Sequence, residues 1–395
     1  MEPDRGRCTI RLIPNSPINV REGMMRLNLD LQTSLDDKRT LETTRPCSKT
    51  LRQEFAAQIK LLVACGWLAD DEARSDTLRI ELLSSSHALY KVITPHGKAV
   101  AIKQSQSSTN GRDLAREFYV YRLSNWIEEI ADILPTPIII DERRQTLVID
   151  FLFNDNLAIK YGSGLANTQV SQQLGQKMAK WHRATSKVAL LPALSIGILH
   201  LPDALEIASA TRPASTKKLM QMIAGDEKLA SILREAQSVY EDQCLIHGDI
   251  RCENWILAHT DIQAHLKIID WEISGAGDPA WDVGSVLAHA VIEAFRCGLL
   301  LPSDTNIMHL LEPLIRRFLR AYAFSKGLAD LSNKTVCRHV VLFMVARLLH
   351  VACEWADCTS NLSDDTHILD IVGHCHTLIR EQHETAETIS LWSQF

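Results

Sequence analysis

The alternation of apolar and polar positions changes character part-way along the chain. Between residues 75 and 153 the apolar residues fall in short runs bounded by turn residues, the spacing of strands that bury a face. The runs 78–84 and 89–93 read as a strand pair, Pro95-His96-Gly97 as a turn, and 99–103 as a third strand. The segment 113–126 has helical spacing, and strands 135–140 and 146–151 flank the polar turn Asp141-Glu142-Arg143-Arg144. After residue 155 the pattern becomes mainly helical, with apolar positions three and four apart. Helices are expected over 174–184, over 217–240 as one or two, over 283–296, and in three further stretches toward the C-terminus. The exception is 244–272, where two short apolar strands flank a polar loop. Upstream, Thr50-Leu51-Arg52-Gln53 fits a capping box, and Phe55, Ile59, Leu62 and Val63 recur at helical spacing before Gly66. Residues 1–47 are polar and weakly periodic. A small β-rich part followed by a larger helical part is an α+β, bilobal arrangement with a cleft between lobes. The boundaries read as an extension with one helix over 1–74, a small lobe over 75–153 and a helical lobe over 154–395.

Composition narrows the class. The 395 residues are 46% hydrophobic and 23% charged, an ordinary globular mixture. The net charge of −6 argues against a nucleic-acid partner, which calls for a basic face. The first residues lack the apolar segment of a signal peptide. The most apolar helix candidate, 340–356, carries Arg347, His350 and Glu354, so no membrane span is expected and the chain reads as soluble and cytoplasmic. Ten cysteines are scattered with no C-x-x-C pair, which fits reduced thiols used as small apolar residues.

The chemistry concentrates in Leu245-Ile246-His247-Gly248-Asp249-Ile250-Arg251-Cys252-Glu253-Asn254, followed by Ile268-Ile269-Asp270-Trp271-Glu272. Phosphoryl transfer asks a protein for positioning, for metal ions that bridge phosphates, and for a carboxylate near the attacking hydroxyl. Mg²⁺ prefers oxygen ligands and takes few from protein. An Asp, an Asn five residues later and an Asp after a following strand supply these parts. Asp249 would orient the hydroxyl and accept its proton, and Asn254 and Asp270 would hold the metal.

These motifs resemble the aminoglycoside phosphotransferase and choline kinase family, whose fold is protein-kinase-like. In that group His-Gly-Asp takes the place of His-Arg-Asp, and Ile-Asp-Trp replaces Asp-Phe-Gly. Gly277-Asp278-Pro279-Ala280-Trp281-Asp282-Val283-Gly284 also resembles a family segment, in which Asp282 would brace the catalytic loop. Val100-Ala101-Ile102-Lys103 is similar to the kinase third-strand motif. The resemblance implies that Lys103 pairs with the nucleotide phosphates, that Glu117 is its helix partner, and that the backbone near Asp150 and Leu152 meets the base at the lobe hinge. The phosphate-covering loop departs from the kinase glycine pattern. It has Ser84, Ser85 and Ser86 instead, small residues that still let N–H groups and hydroxyls approach phosphate oxygens. The helix around Trp181 and His182 resembles one that packs below the catalytic loop, and His247 reads as structural.

The resemblance implies ATP or GTP as co-substrate, Mg²⁺, and a small-molecule hydroxyl acceptor of the aminoglycoside, amino-alcohol or sugar type. Two alternatives stay open: a peptide Ser/Thr kinase of a natural-product pathway, with the N-terminal extension docking a partner, and a non-catalytic binding module of the same fold. Glu354, Asp357, Asp364 and Asp365 form an acidic stretch that reads as a solvated face, although acids in the family's acceptor site bind ammonium groups. Trp355 or Trp392 could add cation–π attraction. His367, His374, His376 and His383 read as a solvent-facing helix.

Overall fold

The computed structural model describes residues 55–84, 89–105, 114–152, 165, 167–186, 192–206, 210–259, 264–301, 304, 306–325, 327, 329–362 and 366–394. Strands β1 (Arg79–Ser84), β2 (Leu89–Ile93), β3 (Ala99–Gln104), β4 (Pro137–Asp141) and β5 (Thr146–Asp150) form one sheet in the order β1-β2-β3-β5-β4. Every pairing in it is antiparallel. The central β3 is an unbroken apolar run from Ala99 to Ile102, buried throughout, as a strand covered on both faces must be.

Helices α1 (Ala56–Ala64) and α2 (Asp70–Arg74) precede the sheet. The expected helix does end before Gly66, which has φ of 75°, a left-handed conformation that glycine adopts without steric cost. The expected cap at Thr50 lies outside the described residues. Phe55, Leu62, Trp67 and Leu68 share one core with Ile80, Val92, Val100, Ile102 and Val148 of the sheet, so this segment packs on the small lobe. Between β3 and β4 run α3 (Ala115–Leu123) and the short α4 (Glu128–Ala131).

The helical part begins with α5 (Thr168–Thr185), which starts earlier than its apolar pattern suggests. Its first turn is polar, and the Asn167 side chain accepts from the N–H groups of Gln169 and Val170 at 3.0 and 3.2 Å, a local cap that needs no apolar signal. Asp226 splits the expected 217–240 helix into α6 (Ala214–Gly225) and α7 (Glu227–Val239) by capping the second. Helix α8 (Pro279–Arg296) also starts early, with Asp278 as cap and Pro279 in its first turn. Among the described residues four helices follow rather than three: α9 (Ile307–Phe324), α10 (Lys334–Ala356), α11 (Thr366–Arg380) and α12 (Gln382–Gln394). Helix α10 is long and apolar enough to cross a membrane, yet most of it is buried inside the protein. The eight described cysteines are free thiols.

Two small antiparallel ribbons sit between these parts. Strand β6 (Cys244–Ile246) pairs with β9 (Gly275–Gly277), and β7 (Trp255–His259) pairs with β8 (Ala264–Ile268). The segments 247–254 and 269–274 connect the ribbons, so both polar motifs emerge at one place.

Candidate active site

The loop after β6 is fixed by its backbone. Gly248 has φ of 85°, and a Cβ there would lie 2.6 Å from Leu194 Cδ2, so both conformation and space demand glycine. The buried Asp282 of α8 accepts from the N–H of His247 at 2.9 Å and of Gly248 at 3.0 Å. His182 of α5 donates Nε2–H to the same carboxylate at 3.1 Å, while its Nδ1 meets the Tyr322 hydroxyl at 2.9 Å. Asp282 thus braces the loop without facing the cleft. His247 Nδ1 accepts from the Asp249 N–H at 3.2 Å and its Nε2 donates to Ile269 O at 2.9 Å. That pattern assigns the neutral Nε2–H tautomer and ties the two polar segments together. Three buried indoles complete the frame: Trp181 donates to Leu245 O, Trp281 to Gly248 O and Trp271 to Ile268 O.

Asp249, so presented, is held by two guanidiniums. Arg347 of α10 reaches Oδ1 at 2.5 Å, and Arg251 Nε lies 3.2 Å from Oδ2. Burial alone would push the carboxyl up, but Arg347 and then Arg251 outweigh it and hold it below the usual carboxylate range. Arg347 lies in an apolar helix and is itself buried. Nothing in the sequence pattern beyond its isolation as a charge marks it, and isolation of that kind implies a partner.

Asn254 donates Nδ2–H to Asp249 O at 2.9 Å, which leaves its Oδ1 as the open end of the amide. Asp270 has φ of 66°, a left-handed backbone that costs a non-glycine residue free energy and gathers at functional sites. Its Oδ1 lies 2.5 Å from Lys103 Nζ. Lys103, on β3, also meets Glu117 Oε2 of α3 at 2.8 Å and Glu272 Oε2 at 3.0 Å. Burial lowers the Lys103 pKa, but Glu117, Asp270 and Glu272 together raise it well above the ordinary lysine value, so the ammonium is permanent. Burial also raises the Glu117 carboxyl, and Asp270 is held low by Lys103 against its own burial. Glu272, two residues after Asp270, joins the site as a third carboxylate on Lys103. Three carboxylates surround one ammonium; of these Asp270 follows Ile269, whose N–H donates to Asn254 O at 3.0 Å, and the Asp270 carboxylate and Asn254 Oδ1 are oxygens of the type a hard divalent cation would take.

Ser84 ends β1 beside Leu89, while Ser85 and Ser86 lie outside the described residues. Asp150 ends β5 opposite Val100 in register, and Leu152 is half-buried two residues on. Arg116 NH1 donates to Ser274 O at 2.6 Å and so clips α3 to the segment after Asp270.

Other sequence candidates disperse. Glu354 faces Arg347 at 3.5 Å and Arg251 at 3.8 Å, Asp357 pairs with Arg212, and Asp364 and Asp365 lie outside the described residues. Trp355 stacks under Arg296 at 5.0 Å, and Trp392 is buried in α12. His374 is buried edge-on to Phe295 and His376 meets Asp226 at 3.4 Å. The segment is therefore partly core rather than a wholly solvent-facing helix. One group of three metal-ligating side chains, Cys252, Glu253 and His289, comes together among the described residues, but burial first, and then Glu253, keep the Cys252 thiol protonated.

The sequence pattern of the phosphotransferase enzyme family matches residues 80–328. A Plasmodium vivax ethanolamine kinase is 13% identical with a TM-score of 0.56, over 90% of this chain and 96% of that one. A choline kinase from Streptococcus pneumoniae is 14% identical with a TM-score of 0.51, over 83% and 99%. An amicoumacin kinase solved with AMP-PNP and Ca²⁺ is 13% identical with a TM-score of 0.50, over 85% and 96%. At these identities the likeness is one of fold, the bilobal kinase-like α+β fold. Among curated sequences, acyl-CoA dehydrogenase family member 10 of Mus musculus is 32% identical over 112 residues, 27% of this chain. The chain spans 10% of that relative's length.

Proposed function

The chain belongs to the phosphotransferase enzyme family, and on that premise we propose that it transfers the γ-phosphate of ATP or GTP to a hydroxyl of a small molecule, with Mg²⁺. The observation that carries the reading is the 2.5 Å contact of Lys103 with Asp270, 167 residues apart in sequence. It brings the small-lobe lysine and the motifs of the helical lobe to one cleft. The amicoumacin kinase with its bound nucleotide analogue and cation supports a nucleotide and a divalent ion, and the ethanolamine and choline kinases support a small acceptor.

In this reading residues 75–153 form the nucleotide lobe and 154–395 the lobe of the catalytic loop and acceptor. Lys103, kept cationic and oriented by Glu117, holds the nucleotide phosphates, with Ser84, Ser85 and Ser86 over them and the backbone near Asp150 and Leu152 at the base. Asn254 Oδ1 and the Asp270 carboxylate hold Mg²⁺, which when bound neutralises phosphate charge. Asp249 orients the acceptor hydroxyl and takes its proton. The acceptor oxygen bonds to the γ-phosphorus as the bond from phosphorus to the β-phosphate oxygen breaks, and nucleoside diphosphate leaves. The decisive experiment measures nucleotide consumption and phosphorylated product across hydroxyl compounds, with calorimetric nucleotide titration with and without Mg²⁺. Absence of Mg²⁺-dependent nucleotide binding would sink the reading.

A further inference from the structure

Helix α9 has two faces. Leu311, Leu314, Ile315, Phe318, Leu319 and Tyr322 are buried, and the helix packs on α5 so closely that a Cβ on Gly175 would lie 2.5 Å from Phe318 O. The other face carries Pro313, Arg317, Arg320 and Phe324, spaced four, three and four residues apart, which sets them in one stripe. Over these residues an α-helix rises about 16 Å. All four line a groove of about 1140 Å³. Gln172 and Gln176, both exposed, line it from α5.

The charges in the groove do not cancel one another. Its lining holds Arg316, Arg317 and Arg320 against Glu312 and Asp330. Arg316 is paired with Glu312 at 2.6 Å. Asp330 accepts from the Ser332 N–H and hydroxyl at 3.0 and 2.7 Å. Arg317 and Arg320 are exposed, and among the described residues neither has a carboxylate partner. The groove therefore stays positive on a chain whose net charge is −6. A second observation lies on the same stripe. Phe324, one turn beyond Arg320, is 88% exposed, the most open large apolar side chain among the described residues. Arginine and aromatic side chains together are the residues on which protein interfaces concentrate their binding energy.

We propose that this groove docks an acidic amphipathic helix of a partner protein, with carboxylates three or four residues apart on Arg317 and Arg320 and an apolar side chain on Phe324. The groove runs along helices whose backbone groups are bonded internally, so it offers side chains, and a helix needs nothing more to bind. A nucleic-acid backbone would meet Glu312 and Asp330 as well as the arginines. A membrane surface would call for a broad apolar face rather than a recess with one aromatic. None of the groove residues belongs to the catalytic loop or to the cluster around Lys103, so the proposal stands apart from the phosphotransferase reading.

The test uses the full chain and fluorescence anisotropy. The probe is a fluorescein-labelled helical peptide with glutamates at three- and four-residue spacing and leucines on the opposite side. It is compared with the same peptide carrying glutamines, with a single-stranded DNA oligonucleotide, and with vesicles of phosphatidylcholine and phosphatidylserine. The glutamate peptide alone should bind, and more weakly as salt rises. Arg317→Gln combined with Arg320→Gln should weaken binding about tenfold, and Phe324→Ala by a similar factor. Gln176→Glu, which adds a carboxylate without touching the arginines, should weaken it too. These positions are exposed, so the melting temperature should stay in place. Failure of the glutamate peptide to bind overturns the proposal. So does binding that survives both the paired arginine substitution and Gln176→Glu. Binding of the oligonucleotide or the vesicles as tight as that of the peptide, and lost with the same arginines, overturns it in favour of a polyanion or a membrane.

Discussion

Asp249 sits between Arg347 and Arg251, and this sets its behaviour with pH. Its folded-state pKa is depressed, so it stays ionised, and able to accept a proton, until the pH falls below about 4, the ordinary aspartate value. We therefore expect kcat/KM to hold level from neutral pH down to that region and to fall as Asp249 protonates. Arg251→Gln removes one cation, raises the Asp249 pKa, and should move this acid limb to higher pH; an unmoved limb would assign it to another group. Asp249→Asn should lower turnover by about 10²- to 10⁴-fold, the usual range for a positioned base, with nucleotide affinity nearly unchanged in calorimetry. Asp270 and Asn254 are expected to differ. Loss of the Asp270 carboxylate should abolish Mg²⁺-dependent nucleotide binding, and with it a ligand stabilisation of about 2.7 kcal/mol at a hundredfold excess over Kd. Asn254→Ala should weaken it less, because water replaces a neutral ligand. Melting curves with and without nucleotide and Mg²⁺ separate the two.

At the scale of elements, the loop depends on how closely α8 approaches α10. A Cβ at Gly284 would lie 2.8 Å from Met344 N and 2.9 Å from Val340 O, backbone atoms that cannot turn aside. Gly284→Ala should force the helices apart, cost about 1–3 kcal/mol as overpacking does, and reduce turnover because Asp282, two residues earlier, would shift under the loop. Denaturant unfolding alongside kinetics checks this, and an unchanged midpoint would show that the helices can yield. The same elements show what the sequence made legible. The β1–β5 runs were visible because alternation and turn residues are local signals. The early starts of α5 and α8 were missed because Asn167 and Asp278 act through caps, outside the apolar period. The loop from His247 to Asn254 and the segment at Asp270 could be read because their spacing carries the chemistry. Arg347 and Glu272 could not, since each becomes a site residue only through a partner brought from far along the chain, Asp249 and Lys103 respectively.

At the scale of the whole molecule, ion pairs join the small part to the helical one, among them Lys177 with Asp132 at 2.5 Å. Lys103 alone reaches Glu117, Asp270 and Glu272, and Arg116 ties α3 to Ser274. The indole frame beneath the catalytic loop has an optical consequence. Trp181, Trp255, Trp271 and Trp281 are fully buried, while Trp126 is 86% exposed. Three of the buried four donate to carbonyls in or beside the loop's own segments. Intrinsic fluorescence therefore divides into a surface component, open to iodide, and a shielded, blue-emitting component to which the indoles beneath the loop contribute alongside the buried Trp67 and Trp392. Trp126→Phe should remove most of the iodide quenching and leave the shielded emission in place. If that remaining emission shifts to the red in denaturant together with loss of Mg²⁺-dependent nucleotide binding, a cuvette measurement follows the integrity of the loop before any acceptor has been found.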